Sequence, residues 1–335
     1  MRAAFYDRTG PAAEVLRLGD LPTPQAGPGE VLVAVHASGI NPADTKRRGG
    51  WRGMAMEHSR VIPHTDGAGV IVAVGAGVDP ARVGERVWLW NAQGGYGEAG
   101  RAFGTAADLI AIASDQAVRL ADTMSFAEGA CLGVPAMTAY RAIHADGAVT
   151  GQTILVNGAA GAVGHVAVQL AKAGGARVIG TVGSDAAAEH VRAAGADAVI
   201  DRKREDVRAR VMDLTEGQGV DRIIEVDFAA NCALDAAVLK RNGTVAAYSS
   251  SSDPNPVLPY YAFASKGANL RFIQGFLIPE ADRRAGERHL RGLAEAGRLT
   301  IAVGATFPLA EIARAHDRVE QGGLGNTVVL IQASA

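Results

Sequence analysis

Ile154-Leu155-Val156-Asn157-Gly158-Ala159-Ala160-Gly161-Ala162-Val163-Gly164 is the stretch that decides the fold. An apolar run of strand length stops at a glycine. Gly158, Gly161 and Gly164 then follow at three-residue spacing, and residues 163–173 have the spacing of an amphipathic helix. A glycine pattern by itself is weak, because ordinary strand-to-helix turns also attract glycine. The context gives it meaning. A side-chain-poor turn between strand and helix lets backbone N–H groups approach a pyrophosphate, and the helix N-terminus favours its negative charge. The turn at Gly158 and Gly161 is therefore the expected dinucleotide-binding loop.

Outward from this loop the texture repeats. Short apolar strands at 153–157, 177–181, 198–200, 221–226, 244–248 and 270–276 alternate with segments of helical length. Such alternation implies parallel strands joined by helical crossovers. Upstream the chain reads as β-rich, with strands at 31–37, 70–75, 85–90 and 105–112 and a break at Gly94-Gly95-Tyr96-Gly97. Downstream the last sixty residues read as helix, strand, helix, strand, the final strand being 326–332.

The 335 residues exceed the usual length of one domain, so two domains are expected. A 48% hydrophobic composition argues against long disordered stretches. The net charge of −2 gives no reason to expect nucleic acid or an anionic membrane as partner. Cys131 and Cys232 form no clustered framework, which fits a reducing compartment. With no apolar leader or spanning run, a soluble cytoplasmic protein is the expectation.

The choice between NADH and NADPH falls at the end of the second strand, where NAD enzymes usually place an acid. This chain reads Gly180-Thr181-Val182-Gly183-Ser184 there, with Asp185 just beyond as a counter-signal. Arg202-Lys203-Arg204 follows the third strand. Ser184 with Arg202 or Lys203 suits a 2′-phosphate, although a charge run of this kind is usually only a solvated loop. NADPH is the favoured cofactor.

Four segments together justify a family. They are Val35-His36-Ala37-Ser38-Gly39-Ile40-Asn41-Pro42-Ala43-Asp44, Asp66-Gly67-Ala68-Gly69-Val70-Ile71-Val72-Ala73-Val74-Gly75, Gly133-Val134-Pro135-Ala136-Met137-Thr138-Ala139-Tyr140, and the 157–164 loop. Over nearly its whole length the chain resembles the medium-chain dehydrogenase/reductase superfamily, in its quinone oxidoreductase (ζ-crystallin-like) branch. The superfamily has a zinc branch, and a catalytic zinc needs three protein ligands. Where zinc relatives carry a cysteine this chain has Asn41, and where they carry Gly-His-Glu it reads His64-Thr65-Asp66. No metal is expected. His64 and Asp66 are open to two readings, a degenerate metal pair or, as favoured, a rim histidine beside a turn-ordering aspartate.

The resemblance also implies roles. It puts Asn41, followed by Asp44, near the nicotinamide or the substrate carbonyl, and Thr138 close to the ring. Ala160, Gly161, Ala162 and Val163 would hold the pyrophosphate, and Gly183, Ser184, Arg202 and Lys203 would face the adenosine ribose. Asn231, Tyr248, Ser249, Ser250 and Ser251 would line the cofactor crevice. Ile273, Gln274 and Gly275 would approach the carboxamide, and Asn326 would close the phosphate side. Relatives often carry two tyrosines after Asn41-x-x-Asp, where this chain has Lys46 and Trp51-Arg52. Trp51 could offer a flat surface to an aromatic substrate or simply pack under its loop. The lysine that bacterial relatives direct at the 2′-phosphate is replaced within Asp185-Ala186-Ala187-Ala188.

The implied fold is α/β. A Rossmann domain of six parallel strands at 128–276 is inserted in a GroES-like, partly open β-barrel domain made of 1–127 and 277–335, with the site in the cleft between them. The implied reaction is hydride transfer from NADPH to a quinone without zinc. Lys46 and His64 are candidates for proton delivery. Two alternatives stand beside it: an NADPH-dependent reductase of α,β-unsaturated carbonyls, and a non-catalytic NADPH- or RNA-binding stress protein. The small-molecule partner is thus a quinone or conjugated carbonyl, with no membrane and no nucleic acid. The apolar strand at 270–276 would be an edge that needs cover, and the resemblance implies a homodimer joined there.

Overall fold

A computed structural model describes residues 1–94 and 101–332. The chain divides into two compact units. The first comprises Met1–Pro135, Glu287–Gly297 and Ile301–Ala335, and the second comprises Ala136–Gly286 with Arg298–Thr300.

The second unit is built on six parallel strands. In spatial order they are Ala198–Asp201, Arg177–Val182, Thr153–Val156, Val220–Glu225, Leu239–Ala247 and Asn269–Phe272. The first and fourth strands in sequence lie side by side at the centre, so the crossovers leave in opposite directions from that point. This is the doubly wound order, and the crest where it reverses is where such sheets bind ligands. Ile154, Leu155 and Val156 are fully buried, as are Ile223 and Ile224, because helices cover both faces of a parallel sheet.

The first unit is organised around the long strand Glu30–Ile40. One edge pairs antiparallel with Asp66–Val74. The other pairs with Leu109–Ala113 along its first half and with Asn326–Leu330 along its second. Arg86–Leu89 and Ala117–Arg119 extend one side, and Val303–Pro308 joins Asn326–Leu330 in parallel on the other. Register shifts between Leu32 and Val33 and between Val35 and Ala37 bend the long strand, as bulges do in curled sheets. Its alternating inward residues Val31, Val33 and Val35 enter a core with Ile62, Ile71, Leu89, Ile112, Leu309 and Val329.

Three expectations need correction. The strand expected at 105–112 starts only at Leu109. Gly104, Thr105 and Ala106 instead send their N–H groups to the carbonyls of Ile62, His64 and Pro63. The strand expected at 270–276 ends at Phe272, and Gly275–Leu277 is a 3-10 turn. The final strand stops at Leu330 rather than residue 332. Of the break expected at 94–97, residues 95–97 lie outside the described residues.

Candidate active site

The loop after the first central strand has the geometry a phosphate group requires. Gly158 sits at φ +65, in the left-handed region. Gly164 packs the helix Ala162–Ala173 against the loop so closely that a Cβ there would lie 2.4 Å from the Gly158 carbonyl oxygen. Gly161 is the N-cap of that helix and provides no side-chain cap. The first-turn amides of Ala162, Val163 and Gly164 are thus left for an external acceptor. Ala160, Gly161, Ala162 and Val163 are all half-buried. A glycine cradle and an uncapped helix N-terminus fit a dinucleotide pyrophosphate.

A polar network lies beneath this loop. Gly158 N–H donates to Thr181 Oγ1 at 3.1 Å, and the Thr181 hydroxyl donates to Asn157 Oδ1 at 3.2 Å. Asn157 Nδ2 donates to the Glu225 carboxylate and reaches Asp235 Oδ1 at 3.3 Å. Asn231 Nδ2 also donates to Glu225, at 2.9 Å. Asn231 is thereby tied to the end of the central strand. Tyr248 N–H bonds the Glu225 carbonyl, and Phe228 N–H bonds that of Ser249. Ser249 and Ser251 share a hydroxyl–hydroxyl bond of 2.9 Å, while the Ser250 hydroxyl donates to the Asp253 carbonyl.

At the end of the second strand the charges sort themselves. A Cβ on Gly183 would lie 3.3 Å from Lys203 Cε and 3.5 Å from Arg202 Nη2, so both cationic side chains lie over this turn. Arg204 holds both oxygens of Asp185, at 2.7 and 3.3 Å. The acid that argued against a phosphate is therefore neutralised by the third cation of the cluster. Among the described residues neither Arg202 nor Lys203 has a carboxylate partner. Ser184 caps the helix Asp185–Ala193 by accepting from Ala187 N–H at 3.3 Å, which leaves its hydroxyl proton to donate.

Thr138 is buried in the helix Met137–His144, and its hydroxyl faces Gly275, where a Cβ would come within 2.7 Å. Ile273 N–H still bonds the Ala247 carbonyl at 2.7 Å, before Gln274 and Gly275 turn away.

In the first unit, Asn41 caps the helix Pro42–Gly49, and its backbone N–H donates to Asp44 at 2.7 Å. Asp44 also accepts from the Thr65 hydroxyl at 3.2 Å, so it orders the helix start. Asn41 Nδ2 donates to Asp66 Oδ2 at 2.8 Å, the oxygen that also accepts from Val134 N–H at 2.8 Å. Burial pushes the Asp66 carboxyl up to about 8, against the pull of these two donors. His64, expected at a polar rim, is instead fully buried. It bonds Ser38 at 2.7 Å and His316 at 2.9 Å, and burial lowers its imidazole to about 3. A neutral interior histidine with both nitrogens engaged does not deliver protons to a substrate. Among the described residues no three His, Cys, Asp or Glu side chains gather as a metal would need.

Trp51 lines a cavity of about 340 Å3 with Pro42, Thr45, Lys46, Gly49, Val319 and Glu320. Lys46 Nζ and Arg52 Cζ lie 4.6 and 4.4 Å from its ring centroid. Asn326 bonds the Ala302 carbonyl through both its backbone N–H and its side chain.

Comparison with known proteins shows the family. The family described as zinc-binding dehydrogenase matches residues 162–285, and the alcohol dehydrogenase GroES-like domain matches residues 27–122. Human quinone oxidoreductase is 30% identical over 99% of this chain and 98% of its own. The chain belongs to the quinone oxidoreductase branch of the medium-chain dehydrogenase/reductase superfamily. It is an oxidoreductase. The Pseudomonas aeruginosa quinone oxidoreductase is 31% identical over 98% of this chain and 99% of its own. The solved Escherichia coli quinone oxidoreductase complexed with NADPH superposes with a TM-score of 0.84 at 25% identity, covering 99% of this chain and 100% of that one.

Within this family member, sequence reasoning missed Thr181, Glu225 and Asp235. A signal was present for the last. Phe228, Cys232, Asp235 and Ala236 share the buried stripe of one helix, and an acid in such a stripe needs a partner. The Arg204–Asp185 pair left no signal separable from an ordinary charged loop.

Proposed function

We propose that this oxidoreductase reduces quinones with NADPH, by hydride transfer that requires no zinc. The observation that carries the reading is the state of Asn41 and Thr65. They stand where zinc relatives hold ligands, and their side chains are committed to Asp66 and Asp44. Relatives named quinone oxidoreductase, one of them solved with NADPH, support the same substrate class and cofactor.

When bound, NADPH supplies the hydride and the protein supplies position. Ala160, Gly161, Ala162 and Val163 hold the pyrophosphate by backbone N–H groups. Ser184, Arg202 and Lys203 hold the 2′-phosphate. Thr138 and the Ile273–Gly275 backbone shape the nicotinamide site, and Asn231, Tyr248 and the serines after it border the crevice. Asn41 has two amide protons. Asp66 takes one and fixes the amide plane, and the other is offered to a substrate carbonyl oxygen. A quinone spreads the incoming charge through its own ring and draws protons from solvent, so it needs neither a Lewis acid nor a dedicated general acid.

No described helix is long and apolar enough to cross a membrane. Two buried free cysteines support a reducing, cytoplasmic setting. The edge strand Asn269–Phe272 exposes Phe272, with Tyr261 and Leu277 also exposed, which supports a homodimer joined at that edge.

Trp51 gives a test of substrate shape. If the indole stacks on substrate, Trp51→Ala lowers kcat/KM for aromatic quinones about tenfold while small enones lose little. A steady-state comparison of the two classes decides this. Equal losses for both would assign Trp51 to loop packing, and turnover of enones with none of quinones would replace the proposed substrate.

A further inference from the structure

The buried acids under the phosphate loop are not used by the reaction above. Glu225 and Asp235 are both fully buried. A single nitrogen, Asn157 Nδ2, is within hydrogen-bond reach of each, so the two carboxyl groups are neighbours in the interior. Their donors are unequal. Glu225 accepts from Asn157, Asn231 and the Asp227 backbone N–H. Asp235 has Asn157 alone, and its Oδ2 is buried without a hydrogen-bond partner. Two adjacent buried carboxyls do not both ionise, and the one with fewer donors keeps the proton. The other titratable groups facing the pair are Asp227, Cys232 and Tyr248, each of which only adds negative charge when it ionises.

We propose that Asp235, as a neutral acid, is a positioning residue for cofactor binding: it lets Glu225 and Asn157 hold Thr181 and Gly158, and so sets the phosphate loop. Loss of its proton places a second negative charge beneath the pyrophosphate and makes two carboxylates compete for Asn157. Burial and the Glu225 charge raise the Asp235 carboxyl to about 9, so this loss falls in the alkaline range. The proposal rests on the cofactor reading above.

Two measurements test it. Infrared difference spectra of the wild-type protein should show the carbonyl band of a neutral carboxylic acid at about pH 7. The part of the band that Asp235→Asn removes should fade with a midpoint near 9, while the part that remains includes Asp66, with a midpoint near 8. NADPH affinity, from fluorescence titration, should fall about tenfold per pH unit above that midpoint in wild type. The alkaline fall in Asp235→Asn should be shallower. If Asp235→Asn does not fold, Glu225→Gln serves instead. It removes the opposing charge and should move the wild-type limb to lower pH. Identical alkaline profiles for wild type and Asp235→Asn, an unmoved limb in Glu225→Gln, or normal affinity with a neutral-acid band that Asp235→Asn leaves unchanged would each overturn the proposal alone. Failure of the wild type to bind any dinucleotide would bring down the cofactor reading, and this proposal with it.

Discussion

Replacing Arg202 with alanine is expected to weaken NADPH binding about ten- to hundred-fold and to leave NADH binding unchanged. Arg202 lies over Gly183 beside Lys203, and among the described residues no carboxylate claims either. A 2′-phosphate would gain charge-assisted bonds there, and the bare hydroxyl of NADH would gain none. The Asp185 carboxylate does not oppose this, since Arg204 holds both its oxygens. The site is exposed, so the discrimination should shrink as salt rises. Titration of both cofactors into wild type and mutant at two salt concentrations checks this. Equal losses for the two cofactors would mean that Arg202 does not read the phosphate.

Gly164→Ala is expected to lower affinity for either dinucleotide more than tenfold and to lower the melting temperature. In an open helix, exchanging glycine for alanine stabilises by about 1 kcal/mol. At Gly164 the new Cβ would lie 2.4 Å from Gly158 O and 2.8 Å from Ala159 Cα. Both are backbone atoms and cannot swing aside, so the helix must withdraw from the loop, at about 1–3 kcal/mol. Gly161 is the control. Its φ of −74 and ψ of 169 suit alanine, and its Cβ would meet only Gly158 O at 3.3 Å. Gly161→Ala should therefore bind far better than Gly164→Ala. Cofactor titration with thermal melts decides the point, and a Gly164→Ala protein that binds like wild type contradicts the loop geometry.

The strand, the glycine turn and the helix Ala162–Ala173 were legible in the sequence because each depends on neighbours a few residues away. The six-strand alternation was legible for the same reason. Features that depend on distant partners were not. His64 reads as a surface polar residue until folding brings His316 against it across 252 positions. Residues 105–108 read as strand because they resume an apolar pattern. The N–H groups of Thr105 and Ala106 are instead drawn to the carbonyls of His64 and Pro63, that of Asp108 goes to Arg2, and the Thr105 hydroxyl bonds the Asp66 carbonyl. Asp185 reads as a counter-signal because its partner Arg204 stands beyond the third strand, 19 positions away. Asp44 follows Asn41 in sequence, and only the fold shows that it accepts from the Asn41 N–H and from the Thr65 hydroxyl.

The central claim is a zinc-independent transfer from NADPH to a quinone. Its most direct test is the rate of NADPH oxidation by protein treated with a strong chelator, using para- and ortho-quinones as acceptors and ethanol with NAD+ as the comparison. With Asn41 and Thr65 committed to Asp66 and Asp44, the quinone rate should be unchanged by chelation and ethanol oxidation should be negligible. A quinone rate that disappears with the metal and returns with added zinc, or ethanol oxidation that outpaces it, would contradict the account.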